Sequence, residues 1–165
     1  MARTIDTDLF EEIAEERVRT LGSKVDIQAM QVVFNLVRLA NKITTDLEAT
    51  VHRPAGWSWP GFRLLFTVWI MGPLEPSQIA HLAGVSRAAI SSVLNTLERN
   101  GLISRTRAAN DGRAITVMLT TEGEQRVVRA FLAQNDKESN WTAELSSSEQ
   151  ETLIFLLRKL LRHHS

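Results

Sequence analysis

Apolar residues recur at three- and four-residue steps through most of the chain, and at two-residue steps in one short region. Leu9, Phe10, Ile13, Ala14 and Val18 form a stripe that predicts a helix over Asp6 to Leu21, with Glu11, Glu12, Glu15 and Glu16 mostly off it and Gly22 to end it. Asp26 is placed to cap a longer helix reaching roughly Val51, with Met30, Val33, Phe34, Val37, Ala40, Ile43 and Leu47 at helical spacing. His52-Arg53-Pro54-Ala55-Gly56 has a linker's Pro and Gly content. Ser58 or Trp59 precedes the next helix, which takes Pro60 at its first position, puts Phe62, Leu65, Phe66 and Trp69 on one side, and ends near Met71-Gly72-Pro73. A short helix over Pro76 to Ala83 is broken by Gly84, and Ser86 opens another to about Asn100, with Ile90, Val93, Leu94 and Leu97 facing a core. The two-residue step belongs to Ile103–Arg107 and Ile115–Leu119, flanking Asn110-Asp111-Gly112, a strong hairpin signal. Thr121 with Glu124, and Ser146 with Glu149, read as capping boxes for two final helices, the last carrying Leu153, Ile154, Leu156, Leu157, Leu160 and Leu161.

These elements predict a mainly α chain with a small β-wing. Residues 56–120 read as a winged helix-turn-helix. Residues 1–55 and 121–165 read as a helical region, and the leucine-rich final helix has more apolar surface than one small head could cover. That excess points to a two-fold dimerisation region formed by the N- and C-terminal helices; docking of the last helix on Asp6–Leu21 is the alternative.

The helix after Ser86 carries chemistry on its outer side. Arg87, Ala88, Ser91, Ser92, Asn95 and Arg99 are small or hydrogen-bonding, with positive charge at both ends. A B-DNA major groove admits a helix, and the N-terminal part of the second helix of a helix-turn-helix reaches base edges. Ser77 and Ser86, in or before first turns, join this set. An ordinary surface helix is the competing reading. Arg105, Arg107 and Arg113 lie on the hairpin, with Asp111 two residues before Arg113. An arginine on a slim β-tip suits the narrow minor groove, and a neighbouring carboxylate can orient it. Arg105 is expected to touch phosphate. Asp111 and Arg113 could also merely staple the turn.

The segment Ile79-Ala80 to Leu102-Ile103, the wing Asn110-Asp111-Gly112-Arg113 and the run Leu119-Thr120-Thr121-Glu122-Gly123 resemble the MarR-type transcriptional regulators. The resemblance is sharp over about Pro76 to Gly123 and rests on helix order elsewhere. It implies a homodimer binding pseudo-palindromic DNA, usually as a repressor, with Arg113 as the minor-groove arginine and Asp111 as its partner. It also implies release by small, often aromatic, anions held between the helical frame and the winged helix. Trp57, Trp59, Phe62, Arg63 and Phe66 would then line or border such a pocket, with Arg38 or His52 as charge partners. The bland reading of these aromatics is core, because they bury large area.

Charge and composition narrow the rest. Formal charge is zero, yet residues 86–113 hold five arginines against two acids, while residues 1–25 hold four basic against six acidic side chains. Basic charge is thus concentrated on the proposed reading head. With 44% hydrophobic and 23% charged residues the chain is an ordinary folded one. The lack of cysteine excludes disulfides and thiol sensing. No stretch has the apolar length of a membrane span or a signal-peptide core, so a cytoplasmic location is expected. There is no phosphate loop or nucleophile elbow, and His52, His81, His163 and His164 lack metal-ligand spacing. No enzyme activity, cofactor or metal is expected. The remaining alternative is a winged-helix protein-interaction module without DNA binding, against which the arginine-lined face argues.

Overall fold

The computed structural model describes residues 7–22, 24–107 and 115–163. Two compact units, Met1–Ile43 and Thr44–Ser165, divide the chain.

In the first unit, α1 (Thr7–Arg19) lies against the opening turns of α2 (Ile27–Leu47). Asp26 Oδ1 accepts from the Ala29 amide at 2.9 Å, the expected cap. Phe10 stacks on Phe34 with ring centres 5.8 Å apart. Polar pairs flank the stack: Asn35 donates to Glu11 at 2.7 Å, Gln31 to Glu15 at 2.7 Å, and Arg38 to Glu11 at 3.1 Å. The α1 helix therefore packs on its own chain. Even so, no described side chain of residues 9–43 is fully buried.

The second unit begins where α2 changes pitch. Residues Glu48–His52 form one π turn, marked by the Arg53 amide donating to Glu48 O at 2.9 Å. This corrects the linker reading of His52-Arg53-Pro54-Ala55-Gly56: His52 is fully buried at the end of the helix, and only the residues after it form the turn. The extra residue in the turn swings Val51 and His52 inward, as π insertions commonly do at specialised positions.

The α3 helix (Trp59–Met71) is capped by Ser58, whose hydroxyl accepts from the Gly61 amide, and has Pro60 in its first turn. Then follow α4 (Pro76–Ala83), α5 (Arg87–Arg99), β1 (Ile103–Arg107), β2 (Ile115–Leu119), α6 (Thr121–Trp141) and α7 (Ser147–His163). The strands pair antiparallel, Ile103 opposite Leu119 and Arg105 opposite Val117. Leu74 adds a third rung the periodicity did not reveal, exchanging both backbone hydrogen bonds with Val117. Leu64, Leu65, Ile79, Leu97, Leu102 and Val117 make the centre of the core, each at most 1% exposed.

The start of α6 differs from the expected capping box. Thr120, not Thr121, is the cap: its hydroxyl accepts from the Gly123 amide at 3.0 Å and donates to Gly101 O at 2.7 Å. Gly123 is required there because a Cβ would stand 1.9 Å from the Leu102 carbonyl oxygen. The Leu-Thr-x-x-Gly run thus seats α6 directly on the backbone at the end of the helix-turn-helix. At α7 the expected box is present, with Ser146 N–H donating to Glu149 at 2.8 Å. None of the side chains of α7 is buried.

Candidate nucleic-acid interface

Three backbone devices set the helix-turn-helix. Pro76 opens α4, and the Glu75 amide donates to Gln78 Oε1 at 3.0 Å. Gly84 ends it at φ 60°, a left-handed conformation that costs a residue with a Cβ about 1–2 kcal/mol. The Arg63 guanidinium lies over this glycine, its Nη2 2.5 Å from where a Cβ would be. Ser86 caps α5, accepting from the Ala89 amide at 3.2 Å.

The burial of α5 is one-sided. Ile90, Leu94 and Leu97 are buried, while Ala88, Ser91, Ser92, Asn95 and Arg99 are exposed along the outer face. Ser77 is exposed in the first turn of α4 and Ser86 at the cap of α5. Arg87 and Arg107 occupy the first residue of α5 and the last of β1. Asp111 and Arg113, with the rest of the Asn110-Asp111-Gly112 tip, lie outside the described residues. Arg105 is half-buried and turns toward the helix: it donates to Asn95 Oδ1 at 2.8 Å and lies 3.5 Å from Glu98. The spacing of the residues gave no sign of this link between hairpin and helix.

The aromatic residues weighed as a ligand site form a ladder. His52 stacks on Phe62 with ring centres 4.3 Å apart, Trp59 and Phe66 lie 5.9 Å and 5.5 Å from Phe62, and Phe131 lies 5.2 Å from Phe66. Trp57 Nε1–H donates to His52 Nδ1 at 3.3 Å, which puts the proton of the neutral ring on Nε2. Burial is the main cause that pulls the His52 pKa below its ordinary 6.5, with a nearby Gln134 amide and the Glu48 carboxylate working the other way. His52 Nε2 and Gln134 Oε1 are both buried without a hydrogen bond of good geometry. An uncharged His52 fits this setting better than a charge partner for an anion. Arg38 is engaged in the first unit by Glu11 and lies over the Phe34 ring.

A cleft of about 410 Å³ opens beside Trp57, between the turn at Pro54-Ala55 and α6. Arg126 and Arg129 border it, and no acidic side chain does. Arg126 donates to Ala55 O and sits 5.2 Å over the Trp57 ring. Neither arginine stands out in the sequence, where both fall among the ordinary polar positions of α6. Among the described residues no cluster of His, Asp or Glu could hold a metal ion, and no helix is long and apolar enough to cross a membrane.

Comparison with known proteins places this geometry. Residues 57–115 match the model of the MarR family. An uncharacterized HTH-type transcriptional regulator of Bacillus subtilis, YwaE, is 30% identical over 136 residues, covering 82% of this chain and 80% of that protein. The crystal structure of a probable transcriptional regulator from Pseudomonas aeruginosa superposes with a TM-score of 0.71 at 27% identity, over 79% of this chain and 96% of the other. A mutant of Escherichia coli MarR, solved in complex with operator DNA, superposes with a TM-score of 0.74 at 23% identity, over 84% of this chain and 99% of that one, and shares the fold.

Proposed function

Because the chain belongs to the MarR family of transcriptional regulators and carries its winged-helix DNA-binding fold, we propose that it works as a homodimeric repressor of a pseudo-palindromic operator. The observation that carries this reading is the outer face of α5, where Ala88, Ser91, Ser92 and Asn95 stand exposed beside a hairpin rich in arginine. Short side chains let a helix approach base edges closely, and the hairpin extends the contact along the duplex. Each α5 would enter a major groove, and each wing, with Arg113 held by Asp111, a flanking minor groove. Two-fold pairing through helices in 1–55 and 121–165 would set the half-sites about one helical turn, or 34–36 Å, apart. The exposed apolar face of α7 supports that pairing.

Release by a small aromatic anion fits the cleft at Trp57, Arg126 and Arg129, which offers positive charge beside an aromatic wall at the joint of α6 with the head. A ligand acts there only by its differential affinity for a head spacing that no longer matches the half-sites.

Footprinting on the DNA upstream of the chain's own coding region tests the proposal. Two protected half-sites related by a dyad are expected. Arg113→Ala should lower affinity at least about tenfold, consistent with loss of a charge-assisted contact. A wild-type chain that protects no duplex in dilute salt would refute the reading.

A further inference from the structure

Arg105 sits at the centre of β1, where a side chain reaching outward would meet a phosphate. Its guanidinium instead folds back onto α5. Nη2 donates to Asn95 Oδ1 at 2.8 Å, and Nε lies 3.5 Å from Glu98 Oε2. Asn95 and Glu98 are three residues apart and share a face of the helix. The Arg105 side chain is only 24% exposed, and its Nε is buried with no hydrogen bond of good geometry, so this is not a solvated arginine brushing a neighbour.

The chemistry of the pair fixes the amide. A guanidinium has donors only, so the atom that Asn95 turns to it must be the oxygen. Nδ2, with its two donors, is then directed away from Arg105 on an exposed residue of the outer face. Reversing the amide would set N–H groups against a cation and forfeit a charge-assisted hydrogen bond.

We propose that Arg105 is a positioning residue for sequence reading: with Glu98 it locks the Asn95 amide so that Nδ2 is offered to a hydrogen-bond acceptor in the major groove, the N7 edge of a purine. This rests on the DNA-binding function proposed above. Arg105 then contributes to base preference through Asn95 and neutralises no phosphate itself.

In vitro selection from randomised duplexes, followed by affinity measurements across salt concentrations, separates the possibilities. Wild-type protein should enrich a motif in which one purine position is lost with Asn95→Ala. Asn95→Asp keeps an acceptor for Arg105 but has no donor, and should lose the same preference. Arg105→Gln should relax that position and no other, costing about tenfold on the preferred site. Its salt slope should stay that of wild type, whereas loss of a phosphate contact would lower it by about one. The double variant Asn95→Ala/Arg105→Gln should bind no worse than the weaker single variant, as expected of two residues acting as one unit. Glu98→Gln, which leaves both partners in place, should relax the same position less, and thermal melts of each variant would verify folding. A lowered salt slope with unchanged base preference in Arg105→Gln, or an unchanged preference in Asn95→Asp, overturns the assignment alone. A wild-type chain that enriches no sequence overturns the proposed function together with it.

Discussion

The winged helix and the C-terminal helix are both rich in leucine and isoleucine, yet one hides them and the other displays them. Leu65, Ile79, Leu102 and Val117 are sealed within the head. On α7, Leu153, Ile154, Phe155, Leu156 and Leu160 all remain exposed, Phe155 by 58%. Val33 and Val37 on α2 are exposed too. The head encloses its core within a single chain. The six exposed apolar side chains of α7, Leu161 among them at 71%, are left for another surface to cover. They are already about half covered, so sealing them would gain roughly half of about 1.5–3 kcal/mol each, on the order of 5–9 kcal/mol per chain, to set against an association cost of roughly 4–15 kcal/mol shared by two chains. The proposed reading face and the uncovered apolar surface thus occupy separate stretches of one chain.

The contrast breaks most sharply if the displayed surface is removed. Deleting residues from Leu153 onward should leave a monomeric or insoluble protein, measured by sedimentation or light scattering; a soluble dimer after that deletion would exclude α7 from the proposed interface. A smaller effect is expected at the seam between head and α6. Gly123→Ala drives a Cβ onto the Leu102 carbonyl, and should lower unfolding free energy by about 3 kcal/mol, the upper range for overpacking. Denaturant melts that moved by less than a few tenths of that would mean that α6 lifts without cost. The smallest effect lies at His52. Its pKa is depressed in the folded chain, mainly by burial, so the unfolded chain binds more protons near its ordinary 6.5. The resulting stability is complete above that value and is lost as pH falls toward the folded pKa. Urea midpoints should therefore decline between about pH 7.5 and 5, and His52→Gln should flatten the decline; parallel slopes would show that other groups govern it.

The parts of the fold legible from residues alone were those written in local code. Gly84, Ser86 and the alternation of Ile103–Arg107 with Ile115–Leu119 each act within a few positions, and α4, α5 and both strands lie where those signals put them. The π turn was not legible, because nothing in Glu48–His52 distinguishes an i→i+5 turn from an ordinary helix end; burial of His52 decides it. Thr120 and Thr121 are equally good caps by type, and the choice was made by the distant Gly101 carbonyl. The hydrogen bond from Arg105 to Asn95 was not legible, because it spans ten residues and two kinds of element. Arg126 and Arg129 drew no notice because a basic residue on a helix surface is commonplace. Each miss was a choice made by tertiary contacts.

The seat of α6 has a mechanical corollary. With no side chain between Gly123 and the Leu102 carbonyl, and one threonine hydroxyl shared between Gly101 and Gly123, there is no cushion to absorb a tilt of that helix. A rotation of α6 meets the base of the wing with no compliant side chain between them, so the joint resembles a weld rather than a ball and socket.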